Sequence, residues 1–110
     1  MNESPIFTKC YELIKWLLEH TIKFPKSQRF VMAKRLEETL LNLYDALIEA
    51  AKAGNGGREA LLRADVELER LKHYLRLCMD LKLFSLKQYE YASLQAVEVG
   101  RMLGGWLKKK

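Results

Sequence analysis

Apolar residues recur at three-and-four spacing along almost the whole chain, and only three short breaks interrupt them. That period is the mark of helices with one buried face. The first break is Phe24-Pro25, because the residue before proline is disfavoured in the α region. The second is Ala53-Gly54-Asn55-Gly56-Gly57, and the third lies around Leu83-Phe84-Ser85. Four helices are expected, over roughly residues 5–23, 27–53, 58–83 and 86–108. Connections this short force consecutive helices to run antiparallel, so the expected fold is all-α: an up-down-up-down four-helix bundle forming one domain over residues 1–110.

Local signals agree with these boundaries. Ser4 suits an N-cap, and Pro5 suits the first helical position, where its missing N–H is not needed. In the first helix Phe7, Cys10, Tyr11, Ile14, Leu17, Leu18 and Thr21 share a face. In the second, Ala33, Leu36, Leu40, Leu43, Leu47 and Ala50 form a seam, and Gly54 is placed to end it in a left-handed conformation. The third carries Leu61, Leu68, Leu71, Leu75, Cys78 and Met79. Before the fourth, Ser85 and Gln88 have capping-box spacing, with Phe84 and Tyr89 placed for the accompanying staple. Its seam is Tyr89, Ala92, Ala96, Val99, Leu103 and Trp106. Gly100, Gly104 and Gly105 fall inside this last helix, where each costs about 1 kcal/mol relative to alanine. They allow close packing against a neighbouring helix near the end of the bundle, or mark fraying of the last turn, or admit another chain to the backbone.

The same reading removes whole classes of function. A bundle metal centre needs inward glutamates and Glu-x-x-His pairs, whereas Glu69 and His73 are four apart and His20 has no such partner. Clustered zinc ligands are missing, and AGNGGRE lacks both a Walker lysine and a preceding strand. Two scattered histidines support no nucleophilic triad. Cys10 and Cys78 lie within helical patterns and read as small core residues. No catalytic residue, metal or cofactor is expected. No apolar run approaches the roughly 20 residues of a membrane span, and the first residues show no signal-peptide pattern, so the expected location is cytoplasmic.

Charge is the informative quantity. The net charge is +5, and it is segregated. Residues 20–36 hold Lys23, Lys26, Arg29, Lys34 and Arg35 with no acidic side chain. From Glu37 to Glu69, eight acidic residues face Lys52, Arg58 and Arg63, and from Arg70 onward nine basic residues face Asp80, Glu90 and Glu98. Segregated positive charge attracts polyanions. Lys26 and Arg29 also fall at the start of the second helix, where the macrodipole disfavours cations. A cluster that works against its own helix points to a negatively charged partner. Further along the chain, Arg70, Lys72 and Arg76 on the third helix and Arg101 and Lys108 on the fourth are candidate contacts of the same kind.

Apolar side chains are also expected outside. At about 100° per residue, Trp16 falls roughly 160° from the apolar stripe assigned to the first helix. Phe30 lies in a second row on the next helix with Leu41 and Ile48, while Leu94, Tyr91 and Met102 form outward rows on the last. A small monomer does not normally expose such a set, so contact with further copies or with a partner is expected.

Two stretches carry a resemblance to a known family. FPKSQRFVMAKRLEETLL and the closing YEYASLQAVEVGRMLGGWLK resemble the accessory variability determinant (Avd) proteins of diversity-generating retroelements. The segment Leu71 to Leu81 adds to the likeness, which extends over essentially the full chain. The resemblance implies a basic four-helix-bundle subunit of a homopentameric ring, without a catalytic centre. It further implies binding to the element's reverse transcriptase and to RNA or DNA, in support of mutagenic copying of a template RNA into cDNA. Bundle proteins encoded in ribosomal RNA intervening sequences share a similar Phe-Pro turn and are the alternative, as is a purely structural oligomeric adaptor.

Overall fold

The computed structural model describes residues 4–109. It is all-α, with four long helices: α1, Pro5–Thr21; α2, Lys34–Ala53; α3, Arg58–Asp80; and α4, Leu86–Lys109. Among the described residues there is no strand. The molecule measures 43 × 24 × 23 Å, and its long dimension is little more than the 24-residue α4 at about 1.5 Å per residue.

Each boundary has a local cause. Pro5 opens α1, and the Ser4 carbonyl accepts the Phe7 N–H at 3.0 Å, although the Ser4 hydroxyl caps nothing. The N-cap expected of that side chain is therefore supplied by backbone alone. At the other end, the Thr21 carbonyl accepts the Phe24 N–H at 3.0 Å, which folds the Phe24 ring into the core before Pro25 turns the chain. A single helical turn, Lys26–Gln28, leads into a π-helical turn, Arg29–Ala33, that joins α2 without a break. There the Lys34 N–H reaches the Arg29 carbonyl five residues back. The wider turn sends Met32 and Ala33 into the core and leaves Phe30 and Val31 in solvent.

Gly54 ends α2 with φ +60° and ψ −118°, a combination open in practice only to glycine. It is not the left-handed helical cap expected from the sequence, and the chain runs on through a 3₁₀ turn, Gly54–Gly57. α3 ends in a Schellman motif. The Leu83 N–H donates to the Cys78 carbonyl at 2.8 Å, and the Lys82 N–H donates to the Met79 carbonyl at 2.9 Å. The left-handed residue is Lys82, at φ 63°. The capping box before α4 forms as its spacing predicts: Gln88 N–H donates to Ser85 Oγ at 3.1 Å, and Ser85 N–H donates to Gln88 Oε1 at 2.9 Å.

The seams of α2, α3 and α4, apart from the half-buried Met79, Tyr89 and Trp106, are buried in one cluster with Ile6, Cys10, Leu13, Leu17, Phe24 and Phe84. Both cysteines are free and buried. Gly100 marks the close approach of α4 to α3, since a Cβ there would stand 3.2 Å from Leu68 Cδ2. An added Cβ at Gly104 or Gly105 would meet nothing within 4 Å.

The expected orientation of α1 is corrected. Its buried line is Ile6, Cys10, Leu13, Leu17 and Thr21, while Tyr11 and Leu18 are exposed. Tyr11 lies under the Lys15 ammonium, 5.9 Å from the ring centroid. With α1 turned this way, Trp16 is only about 100° from the buried line. It is half-buried against the core, with Tyr91 at 5.2 Å, Phe84 at 5.6 Å and His20 stacked at 4.0 Å. Met102, also expected outside, is half-buried against the same core. α1 carries apolar residues around most of its circumference, so the stripe alone did not fix which arc its neighbours would cover.

Candidate nucleic-acid interface

The turn between α1 and α2 gathers the first cationic group. Lys23, Lys26, Arg29, Lys34 and Arg35 are all exposed, and among the described residues none of them forms an ion pair. The nearest carboxylate in sequence, Glu37, accepts a 2.6 Å hydrogen bond from the buried Thr21 hydroxyl and is half-buried itself. It faces α1 and leaves the lysines unneutralised. Arg29 also braces the turn, since its Nε donates to the Phe24 carbonyl at 3.3 Å. That bond offsets part of the helix-dipole conflict expected for this residue. Arg35 lies against the Tyr74 ring, 5.6 Å from its centroid, and donates to the Tyr74 hydroxyl at 3.2 Å. An aromatic partner holds the guanidinium without cancelling its charge.

The three arginines among the other basic candidates stand in a different electrostatic state. Arg70 pairs with Glu67 at 2.9 Å, Arg76 with Asp80 at 3.5 Å and Arg101 with Glu98 at 2.9 Å. Arg101 holds the Glu98 carboxyl below the usual carboxylate range. Lys72 is half-buried, with its Nζ 3.8 Å from where a Gly100 Cβ would stand, and Lys108 is exposed near the end of α4. Exposed pairs one turn apart are weak, so these arginines could exchange a carboxylate for a phosphate, but only in competition with it. The ten candidates therefore do not form one equivalent set.

Two lysines outside that set lie at the same end of the molecule. The Phe24 and Phe84 rings meet at 5.1 Å and pin the α3–α4 connection against the α1–α2 turn. This brings Lys82 and Lys87, both exposed, to the end that carries Lys23 and Lys26. The stretch 81–89 has two lysines and no acidic residue, a smaller version of the signal at 20–36. Of the apolar candidates, Phe30 (78% exposed), Leu94 (65%) and Tyr91 (41%) face solvent, and Tyr91 also touches Trp16.

The family model described as bAvd-like matches residues 6–110. The chain belongs to the bAvd-like family. This agrees with the Avd resemblance carried by the first turn and the closing helix. No curated protein gives a significant match. In this bAvd-like chain, no group of three or more His, Cys, Asp or Glu among the described residues could hold a metal ion. No described helix is long and apolar enough to cross a membrane. His73 Nε2 and Glu69 lie 3.1 Å apart one helical turn from each other on the exposed face of α3, an ordinary surface pair.

Proposed function

We propose that this protein is a non-catalytic accessory subunit of a diversity-generating retroelement. It binds the element's reverse transcriptase and its template RNA or cDNA, and so supports mutagenic reverse transcription and retrohoming in the cytoplasm. The observation that carries this reading is the unneutralised cation group at the α1–α2 turn of a bAvd-like chain. Lys23, Lys26, Arg29, Lys34 and Arg35 are the principal phosphate contacts, while Arg70, Lys72, Arg76, Arg101 and Lys108 are secondary ones.

The chain is one up-down-up-down antiparallel domain that assembles as a homopentamer. Antiparallel order is supported by the Glu49–Arg63 pair beside the α2–α3 turn and the Arg35–Tyr74 bond far from it. The contacts of Phe7 with Trp106 and of Trp16 with Tyr91 support the same relation between α1 and α4. Self-association is supported by the apolar side chains that α1, α2 and α4 leave exposed: Tyr11, Leu18, Leu41, Ile48 and Leu94. Phe30 and Tyr91 are further partner contacts.

The decisive experiment is RNA binding against salt concentration with Lys23, Lys26 and Lys34 changed together to glutamine. All three are exposed and make no ion pair among the described residues, so the bundle should keep its helical circular dichroism. Removing three phosphate-neutralising charges should flatten the log–log salt dependence by about 2 for a single strand. An unchanged slope and affinity would refute the assignment. Light scattering should give five times the 12.9 kDa chain mass, and a monomer would refute the assembly.

A further inference from the structure

The π-helical turn does more than present cations. It places an exposed aromatic ring among them. Phe30 makes no ring contact with any described residue, although it is 78% exposed. Beside it is an open groove of about 460 Å³, lined by Phe30, Val31, Lys34, Arg35, Glu38 and Tyr74 among others. Two cations and one carboxylate leave this groove net positive. Arg35 is held there by the Tyr74 ring and hydroxyl rather than by an acid.

We infer that this groove takes an unpaired nucleotide of a single-stranded nucleic acid, with its base stacked on Phe30 and its phosphates on Lys34 and Arg35. The inference rests on the nucleic-acid reading above and narrows it to one class of strand. A flat apolar ring beside cations suits a base with its phosphate, and base–aromatic stacking tolerates any base because each has a π face. A duplex buries those faces in its own stack and offers only phosphates and groove edges. A ring of five joins unlike patches, so a neighbouring copy could cover this groove only by bringing an acidic surface to Lys34 and Arg35, and the assembled mass of the Phe30 variants separates that contact from a nucleotide. The π turn supplies the geometry, because widening the helix turns Phe30 and Val31 outward while Met32 and Ala33 stay buried.

The test compares a labelled uridine oligomer with an RNA duplex of equal length, using the full chain with Phe30→Leu and Phe30→Trp variants. Leucine keeps apolar bulk and removes the π face, whereas tryptophan keeps the face. The single strand should bind more tightly than the duplex. Phe30→Leu should weaken single-strand binding roughly 5- to 150-fold, the effect of removing one stack, while leaving the salt slope unchanged. Phe30→Trp should bind as the unchanged chain does. The inference is overturned if Phe30→Leu binds the single strand normally, if it weakens duplex binding equally, or if it instead lowers the assembled mass, which would mark a contact between copies. Failure of the unchanged chain to bind either RNA would instead overturn the nucleic-acid reading itself.

Discussion

Lys82 is the residue whose replacement should most plainly improve the fold. It occupies the left-handed position of the Schellman motif that ends α3, at φ 63°. The bonds that define the motif, Leu83 N–H to Cys78 and Lys82 N–H to Met79, are made by backbone and survive any substitution that keeps an N–H. A Cβ in this conformation costs about 1–2 kcal/mol, which glycine does not incur. Glycine in turn adds freedom to the unfolded chain, an effect of about 0.4–1 kcal/mol in the opposite direction. Lys82→Gly should therefore stabilise the protein by roughly 0.5–1 kcal/mol, a rise of about 2–4 °C in Tm for a chain of this size. Urea unfolding should show a higher midpoint at an unchanged m-value. Lys82→Ala, which keeps the Cβ, should gain nothing comparable. Equal or lower stability for Lys82→Gly would refute the claim that this turn is strained. RNA binding supplies a second readout: if Lys82 extends the cationic end, the same variant should reduce the single-strand salt slope by about 0.7 while it gains stability. A lysine kept where glycine would be more stable is then explained by its charge.

Three further outcomes follow from the packing. Trp16→Ala should cost roughly 2 kcal/mol, since it removes a half-buried ring packed on Tyr91 and Phe84, whereas Leu94→Ala should stay within about 0.5 kcal/mol; equal effects in chemical denaturation would contradict the corrected orientation of α1. Burial pushes the Cys10 thiol up to about 12 and the Cys78 thiol up to about 11, so iodoacetamide at pH 8 should label neither until urea unfolds the chain. Because the folded values are raised, whatever stability these thiols contribute is present below about pH 9 and is lost as pH climbs from there through about 11 for Cys78 and about 12 for Cys10. Gly104→Ala and Gly105→Ala should each stabilise α4 by about 0.5–1 kcal/mol, because nothing lies within 4 Å of either added Cβ, and a loss of stability in thermal melts would contradict that open space.

What was legible in the sequence depended on how few solutions each local pattern allowed. On α2, α3 and α4 one apolar line is denser than the rows beside it, so spacing alone was enough to place Leu36, Leu40, Leu68, Leu75, Ala96 and Val99 in the core. The Ser85–Gln88 box was equally determined, since two orphan donors and two acceptors at fixed spacing close on each other. α1 allowed more than one solution. With Ile6, Leu13 and Trp16 on one side and Tyr11 and Leu18 on the other, only contact with α2 and α4 could choose between them. The π turn and the left-handed Lys82 had no residue signature at all, because lysine and the run Arg-Phe-Val-Met-Ala are compatible with ordinary helix.

The candidate interface shows the same division. Its charge could be read directly, because net charge adds along a sequence whatever the fold. Which charges remain available was legible only in part, because the pairs of Arg70, Arg76 and Arg101 follow helical three-and-four spacing, whereas Glu37 being drawn to Thr21 depends on the contact of α1 with α2. Structure thus separates the cations of residues 20–36 from Arg70, Arg76 and Arg101, each of which already holds an acid. The separation has a measurable consequence. Neutralising Lys23 or Lys26 removes a free charge and should lower the RNA salt slope by about 0.7 for each phosphate left without its cation. Neutralising Arg101 also releases Glu98, whose carboxylate would then repel a nearby phosphate, so the affinity loss should exceed that for either lysine if Arg101 touches RNA. If it does not, the loss should be close to zero. Equal, intermediate losses at all three positions would show that the ion pairs do not distinguish the two groups.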